Sequence, residues 1–128
     1  APDYLALRDS TACLLRGEAP RFTLPGANTT IGILATDAPL TRPQLERLAI
    51  AGHDGLARCI TPAHTLLDGD TLFALATAQS ENSLDMVTIA AMAAQATSMA
   101  VLRAVHQAKG LRFPDLWLPA LADMPVNP

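Results

Sequence analysis

The strongest pattern along the chain is a pair of short apolar runs, each followed by a longer stretch with helical periodicity. Thr30–Thr36 and Thr71–Thr77 place apolar or small residues at successive positions, as strands covered on both faces do. The sequence therefore predicts an α/β fold with the order strand–helix–strand–helix. Two strands are too few for a stable sheet, so we expect the remaining strands to come from elsewhere.

The first helix is predicted to follow Thr41. Pro43 lies near the expected first turn and Gln44 stands three residues after Thr41, which is the pattern of a capping box. The helix should run to about Arg58. One face carries apolar residues: Leu45, Leu48, Ala49 and Leu56.

A second, longer helix is predicted from Leu84 to about Ala108. Asn82 or Ser83 would cap its start, and Gly110 would be the C′ residue. Leu84–Val101 contains no Lys or Arg, but it is rich in Ala and includes Gln and Thr. Because Ala contributes little to membrane insertion, this pattern favours a buried helix over a membrane span.

The two ends of the chain carry weaker patterns. Residues 1–28 are punctuated by Pro and Gly and are predicted to form an arm or linker, with a short helix over Tyr4–Leu15 as an option. Residues 29–128 form the folded segment. Within it, Ile60–Gly69 should be a loop, and Pro114–Pro128 should lie across a surface.

Composition limits the classes of function. The 128 residues suffice for one modest domain, and only 16% of them are charged. Such low charge suggests a chain that buries much of its outside against a partner. The net charge of −3 and the absence of a basic stripe argue against nucleic-acid binding. Cys13 and Cys59 fit no zinc or disulfide pattern and are expected to be reduced thiols of a cytoplasmic protein; no cofactor or metal is expected.

The first candidate for chemistry is Asn28-Thr29-Thr30, directly before the first predicted strand. The Thr29 hydroxyl could attack the carbonyl carbon of Asn28. If the Asn28–Thr29 bond then breaks, Thr29 gains an α-amino group with a pKa near ~8, which can act as base for the adjacent hydroxyl. A glycosylation sequon is the alternative interpretation.

The second candidate is Asp68-Gly69-Asp70, directly before the second predicted strand. The two carboxylates could position an ammonium group such as the α-amino group of Thr29. An Asx-turn is the structural alternative. A metal site formed by His64, Asp68 and Asp70 is a further, weaker option.

Two histidines are general-base candidates by residue type only. His53 lies on the first predicted helix, where a hydrogen-bonded structural role is favoured. His64 lies in the predicted loop, and positioning that loop is the role we favour for it. The sequence contains no recognisable Ser/His/Asp triad, phosphate loop or zinc motif.

Five blocks in order resemble the DmpA-type aminopeptidase family, which includes pantetheine hydrolases and nylon-oligomer hydrolases. The resemblance is dense from Asn28 to Thr77 and looser to the end of the long helix. The blocks are Asn28-Thr29-Thr30-Ile31-Gly32, Ala35-Thr36-Asp37-Ala38-Pro39-Leu40, Gly55-Leu56-Ala57-Arg58, Pro62-Ala63-His64-Thr65 and Asp68-Gly69-Asp70-Thr71-Leu72-Phe73-Ala74.

The resemblance implies a self-cleaving hydrolase with a layered αββα fold. It implies that Thr29 is the nucleophile, released by cleavage of Asn28–Thr29, and that Asp68 and Asp70 support it. A large subunit from the same precursor would supply the remaining strands and catalytic residues. Short peptides, pantetheine or 6-aminohexanoate oligomers would be substrates, and the expected partners are the large subunit and further copies of the assembly, without nucleic acid or membrane.

Two alternatives stay open. The ornithine acetyltransferase type has a similar fold and a self-released Thr, and would transfer the acyl group to an amino acid instead of water. Alternatively, the chain could be a non-catalytic assembly subunit in which Thr29 never gains a free amine.

Overall fold

The computed structural model describes residues 9–18, 29–81 and 85–124, which form a mixed α/β structure. The predicted order strand–helix–strand–helix is confirmed, and a hairpin follows it. Of the helix expected over Tyr4–Leu15, the described part is a single short helix, and residues before position 9 lie outside the described ranges. The elements are α1 (Ser10–Leu15), β1 (Ile31–Thr36), α2 (Arg42–Ala57), β2 (Thr71–Ala76), α3 (Met86–Gln107), β3 (Leu111–Phe113), β4 (Leu116–Leu118) and a 3-10 turn (Leu121–Asp123).

Strands β1 and β2 pair in parallel. The register runs from Ile31 opposite Thr71 to Thr36 opposite Ala76. A parallel pair requires a crossover segment, and α2 supplies it. The capping box predicted for α2 is confirmed at its start, where the backbone N–H of Thr41 donates to Gln44 Oε1 at 2.8 Å. The two strands therefore begin at the same edge of the sheet.

Glycines inside α2 allow close packing on both sides. A Cβ on Gly52 would stand 2.6 Å from the Leu34 side chain, and one on Gly55 would collide with the Ala94 carbonyl of α3. The predicted apolar face of α2 missed these two positions because glycine carries no apolar side chain. A small core forms where the layers meet: Ala38, Leu48, Ala51, Ile89 and Ala93.

The sheet formed by β1 and β2 is covered on one face only within the described residues. Alternate side chains point away from the helices, among them Ile31 and Ile33, which are 72% and 66% exposed, and Phe73, which is 56% exposed. The sequence predicted strands buried on both faces. The described part of the chain supplies a layer for one of them.

Helix α3 begins later than predicted. Asp85 is its N-cap residue and accepts a hydrogen bond from the Thr88 backbone N–H at 2.9 Å and from the Thr88 hydroxyl at 2.7 Å. The prediction that Asn82 or Ser83 caps this helix is therefore wrong. A carboxylate three residues before a backbone donor satisfies the helix start directly.

The predicted end of α3 at about Ala108 agrees with the structure to within one residue, but the predicted C′ residue is wrong. The helix stops at Gln107, and its C-cap Ala108 has extended backbone angles, so Gly110 is not the C′ residue. A Cβ on Gly110 would collide with the Asp123 carboxylate, and that carboxylate accepts the Ala120 N–H at 2.9 Å. Gly110 thus makes room for the chain that returns past it.

The segment after α3 is a hairpin where a surface tail was expected. Leu111–Phe113 pairs antiparallel with Leu116–Leu118, and the Arg112 guanidinium lies 4.7 Å from the Trp117 ring centroid. Pro114 and Asp115 connect the strands, which suits a tight turn. The sequence analysis predicted only that Pro114–Pro128 lies across a surface and did not predict these strands. Residues 125–128 lie outside the described ranges.

Helix α3 packs on α2 along one side. An 18-residue window of α3 has a mean hydropathy of 1.3, and 17% of that window is buried. The helix is long and apolar enough to cross a membrane by these criteria. The core helix of a protein that crosses no membrane can meet them as well, so they assign no membrane role.

Candidate active site

The amino ends of β1 and β2 bring two of the predicted site segments together. The Thr71 N–H donates to the Thr30 carbonyl at 2.8 Å, which continues the parallel ladder to the first residue before β1. Because parallel strands begin at one edge, the residues preceding them become neighbours. Thr29 therefore lies beside the Asp68-Gly69-Asp70 segment.

Gly69 lies directly against the Thr29 side chain. A Cβ at Gly69 would stand 2.7 Å from Thr29 Oγ1 and 3.6 Å from Thr29 Cγ2. Gly69 does not have the positive φ that favours glycine. Glycine is therefore needed at this position because it has no side chain to collide with Thr29. The Thr29 hydroxyl thus occupies the volume that a larger residue 69 would fill. Asn28 lies outside the described residues, and so does the geometry of the bond before Thr29.

Asp70 holds the residue that follows Thr29. Its Oδ1 accepts the backbone N–H of Thr30 at 2.8 Å, and its side chain is only 8% exposed. A hydrogen bond from an amide to a carboxylate is stronger than one between neutral groups. The carboxylate therefore fixes the backbone immediately after the candidate nucleophile.

Asp68 makes local contacts within the loop. Its Oδ2 accepts the Thr65 N–H at 2.7 Å, and its own N–H donates to the Thr65 carbonyl at 3.1 Å. The backbone bond closes a turn over residues 65–68. The Asp68 side chain bonds back to Thr65, whereas in the Asx-turn considered as an alternative it would accept an N–H two residues further on. The contacts fix the path of the loop as it enters Gly69, and Asp68 itself lies one residue before the glycine that contacts Thr29.

His64 and His53 also meet near this edge, which the sequence analysis did not predict. His64 Nε2 lies 3.0 Å from His53 Nδ1 and 3.8 Å from Asp70 Oδ2. His64 has a φ of 56°, in the left-handed region that residues other than glycine seldom adopt. The two histidines lie on different predicted elements, so the sequence gives no sign of this contact.

No group of three His, Cys, Asp or Glu side chains that could hold a metal occurs within residues 9–18, 29–81 and 85–124. A groove of about 570 Å³ lies at the other end of β1. Thr36, Asp37 and Ser80 are among its lining residues, and Thr29 is not. The groove and the candidate nucleophile are therefore separate features.

Comparisons with known proteins agree with the resemblance. The model of Peptidase family S58 matches residues 5–115. A protein named uncharacterized aminopeptidase from Mycobacterium leprae is 51% identical over 80 residues, which make up 62% of this chain and 22% of that protein. Another of the same description from Mycobacterium tuberculosis is 44% identical over 110 residues, with 76% of this chain and 31% of that protein covered.

A more distant relative has a more specific name. The 6-aminohexanoate-oligomer endohydrolase of Kocuria sp. is 40% identical over 60 residues, which cover 47% of this chain and 17% of that enzyme. The chain spans less than a third of the length of each of these three relatives.

Proposed function

The chain belongs to Peptidase family S58, and from that premise we propose that it carries the nucleophile of a self-cleaving amide hydrolase. Thr29 is the proposed nucleophile and Asn28–Thr29 the proposed cleavage site. One observation carries the proposal. The Thr29 hydroxyl lies against Gly69, and the backbone N–H of the next residue, Thr30, donates to the buried carboxylate of Asp70. The segment that leads into β1 is therefore held at the Thr29 side chain and at the backbone that follows it.

Maturation would proceed by acyl transfer within the chain. Thr29 Oγ attacks the carbonyl carbon of Asn28, and the bond from that carbon to the Thr29 nitrogen breaks to leave an ester. Water then hydrolyses the ester. Asn28 ends in a carboxylate, and Thr29 keeps its hydroxyl and gains a free α-amino group.

Turnover would use the same two groups. The α-amino group accepts the hydroxyl proton as Oγ attacks a substrate amide, and the departing amine takes up a proton. Water hydrolyses the resulting acyl-enzyme and restores the hydroxyl. Hydrogen-bond donors for the developing oxyanion would come from the rest of the protein.

Asp70 and Asp68 have different proposed roles. Asp70 accepts a hydrogen bond from the Thr30 N–H. It would therefore orient the new N-terminus at Thr29 and help stabilise the ammonium form of the α-amino group. Asp68 is tied to Thr65 and would set the position of Gly69. Of the two, Asp70 is the group we expect to influence the nucleophile more strongly.

The proposed partner is the remainder of the precursor. The open face of the sheet exposes Ile31, Ile33, Phe73 and Leu75, and a two-stranded sheet is marginal alone. We propose that strands of a large subunit extend this sheet and that a second sheet covers its open face. The result would be the layered αββα sandwich. We also propose that several copies of this two-subunit unit form a homo-oligomer.

Small amides are the proposed substrates. Relatives are named aminopeptidase and 6-aminohexanoate-oligomer endohydrolase, which favours short peptides and oligomers of 6-aminohexanoate; pantetheine rests on the family resemblance. Because the groove lies away from Thr29, the large subunit would form most of the substrate pocket.

Mass spectrometry of the full-length gene product tests the proposal. We expect two fragments, one of which begins at Thr29, and a single uncleaved species for Thr29→Ala. Thr29→Ser is the matched control, because it keeps a hydroxyl and should still split. A wild-type protein that stays intact while hydrolysing amides, or a Thr29→Ala protein that splits, would refute the proposal.

A further inference from the structure

We propose that His64, held by His53, is a positioning residue for Asp70 and through it for Thr29. The proposal deepens the function proposed above and, in its catalytic readout, rests on it. The series of contacts runs from α2 through two imidazole rings to a buried carboxylate and then to the backbone of β1. The rings are 3.0 Å apart at their nearest nitrogens, and the Asp70 carboxylate accepts the Thr30 N–H at 2.8 Å. The step between them, from His64 Nε2 to Asp70 Oδ2, is 3.8 Å, which is a close contact longer than a hydrogen bond.

The two oxygens of Asp70 have different neighbours. Oδ1 accepts the Thr30 N–H at 2.8 Å, whereas Oδ2 lies 3.8 Å from His64 Nε2. A carboxylate fixed at one oxygen only can still rotate about its side-chain bonds. The imidazole occupies the space beside the second oxygen without a hydrogen bond to it, so it would limit that rotation and keep Oδ1 directed at Thr30.

The His64 ring is in turn anchored to a helix. His53 lies near the carboxyl-terminal end of α2, and its Nδ1 is 3.0 Å from His64 Nε2. At that distance one ring donates its N–H and the other accepts it. The helix that packs against the sheet thus contacts the side chain of a loop residue through this pair of rings.

The backbone of His64 provides an independent observation. Its φ of 56° is in the left-handed region, and strained backbone angles persist where surrounding contacts hold them, often at functional sites. Ala78 has a φ of 52° and lies beyond the opposite end of β2. Ala78 therefore offers the same backbone strain without the imidazole.

The experiment compares His64→Gly with Ala78→Gly in the full-length precursor. Both substitutions relieve a positive φ in the same way, and only the first removes a ring. The first readout is hydrogen exchange of the Thr30 amide, measured in a Thr29→Ala background so that all samples stay uncleaved. We expect about tenfold faster exchange for His64→Gly, because the hydrogen bond to Asp70 opens more often, and no such change for Ala78→Gly.

The second readout is the rate of cleavage at Asn28–Thr29 with Thr29 present. His64→Gly should slow cleavage about tenfold, equivalent to about 1.4 kcal/mol. Added imidazole should restore much of the rate, since the His64 side chain is 38% exposed and the vacated space is open to solvent. In the mature enzyme we expect a lower kcat with KM within about twofold, since His64 acts on the nucleophile and not on substrate binding.

The outcomes separate the two proposals. If wild type never cleaves, the proposed function fails, and Thr30 exchange alone decides the positioning role. Unchanged Thr30 exchange in His64→Gly overturns the positioning role even when cleavage occurs. Equal effects of His64→Gly and Ala78→Gly, with no rescue by imidazole, would show a general effect on the fold and likewise overturn it.

Discussion

Replacing Gly69 by alanine should slow self-cleavage while leaving the fold intact. The new Cβ would stand 2.7 Å from Thr29 Oγ1, whereas ordinary contacts begin at 3.4 Å. The hydroxyl therefore has to move by about 0.7 Å. It lies at the end of a rotatable side chain, so it can move without displacing either strand.

The size of the effect follows from that displacement. A misplacement of about 1 Å at a reacting group can lower a rate about 10²-fold. We therefore expect a 10- to 100-fold loss in the cleavage rate constant, or about 1.4 to 2.7 kcal/mol in activation free energy. The free energy of unfolding should stay constant or rise by about 0.4 to 1 kcal/mol, because Gly→Ala at a compatible backbone reduces the entropy of the unfolded chain.

The assay follows fragment formation by mass spectrometry and thermal unfolding on the same samples. The double variant Gly69→Ala/Thr29→Ser is the matched control. Serine lacks Cγ2 and can place its hydroxyl more freely. Gly69→Ala should therefore slow cleavage less in the Thr29→Ser background than in the wild type. Cleavage of Gly69→Ala at the wild-type rate would refute the argument from space at Thr29.

Three further predictions concern the fold and the interface. Gly55→Ala should lower the free energy of unfolding by about 1 to 3 kcal/mol in urea titrations, because its methyl group would meet the Ala94 carbonyl; Ala57→Ser, at an exposed position of the same helix, should change it by less than about 0.5 kcal/mol. Phe73→Asp on the open sheet face should weaken association of the two cleaved chains at least about tenfold in sedimentation experiments. Leu66→Asp, at a fully exposed loop position, should have no effect. Equal association of the two variants would contradict a role of the open sheet face in binding the large subunit. Hydrogen bonds from the Thr88 hydroxyl and, to a smaller extent, from its backbone N–H hold the pKa of the Asp85 carboxyl below 3.8. The stabilisation of the fold by this helix cap is therefore fully present above pH 3.8 and is lost as the pH falls through the folded-state pKa. Asp85→Ala should therefore lower Tm most at neutral pH, with a difference from wild type that shrinks in acid; a constant difference would argue against the cap.

Strands and helices that carry strong periodic patterns could be predicted from sequence. The apolar run at Ile31–Thr36 and the capping box at Thr41 both specify local structure, and the structure has both. Asp85 was missed because several polar residues precede α3, and the choice among them depends on which carboxylate or hydroxyl reaches Thr88. The hairpin after α3 was missed because its strands are three residues long, too short for a period to be recognised.

The candidate site could be predicted only in part for a different reason. Thr29 and Asp70 precede two strands, so a parallel pairing is enough to expect them at one edge. His53 approaches His64 because the end of α2 and the following loop fold back beside that edge. No spacing in the sequence encodes that approach, and the local role of Asp68 likewise depends on the path of the loop.

The register of β1 against β2 connects the fold with the proposed chemistry. Leu34 and Leu72 point toward the helices, and Ile33 and Phe73 point away, so the hydrophobic pattern selects one alignment of the two strands. A shift by one residue would turn a strand over and expose its core face. The same alignment puts Ile31 opposite Thr71, which leaves Thr30 within reach of Asp70 and Thr29 against Gly69. The packing that stabilises the sheet therefore also determines which residue stands beside the Thr29 hydroxyl, and changes in the core that allow the strands to slip should impair cleavage before they unfold the protein.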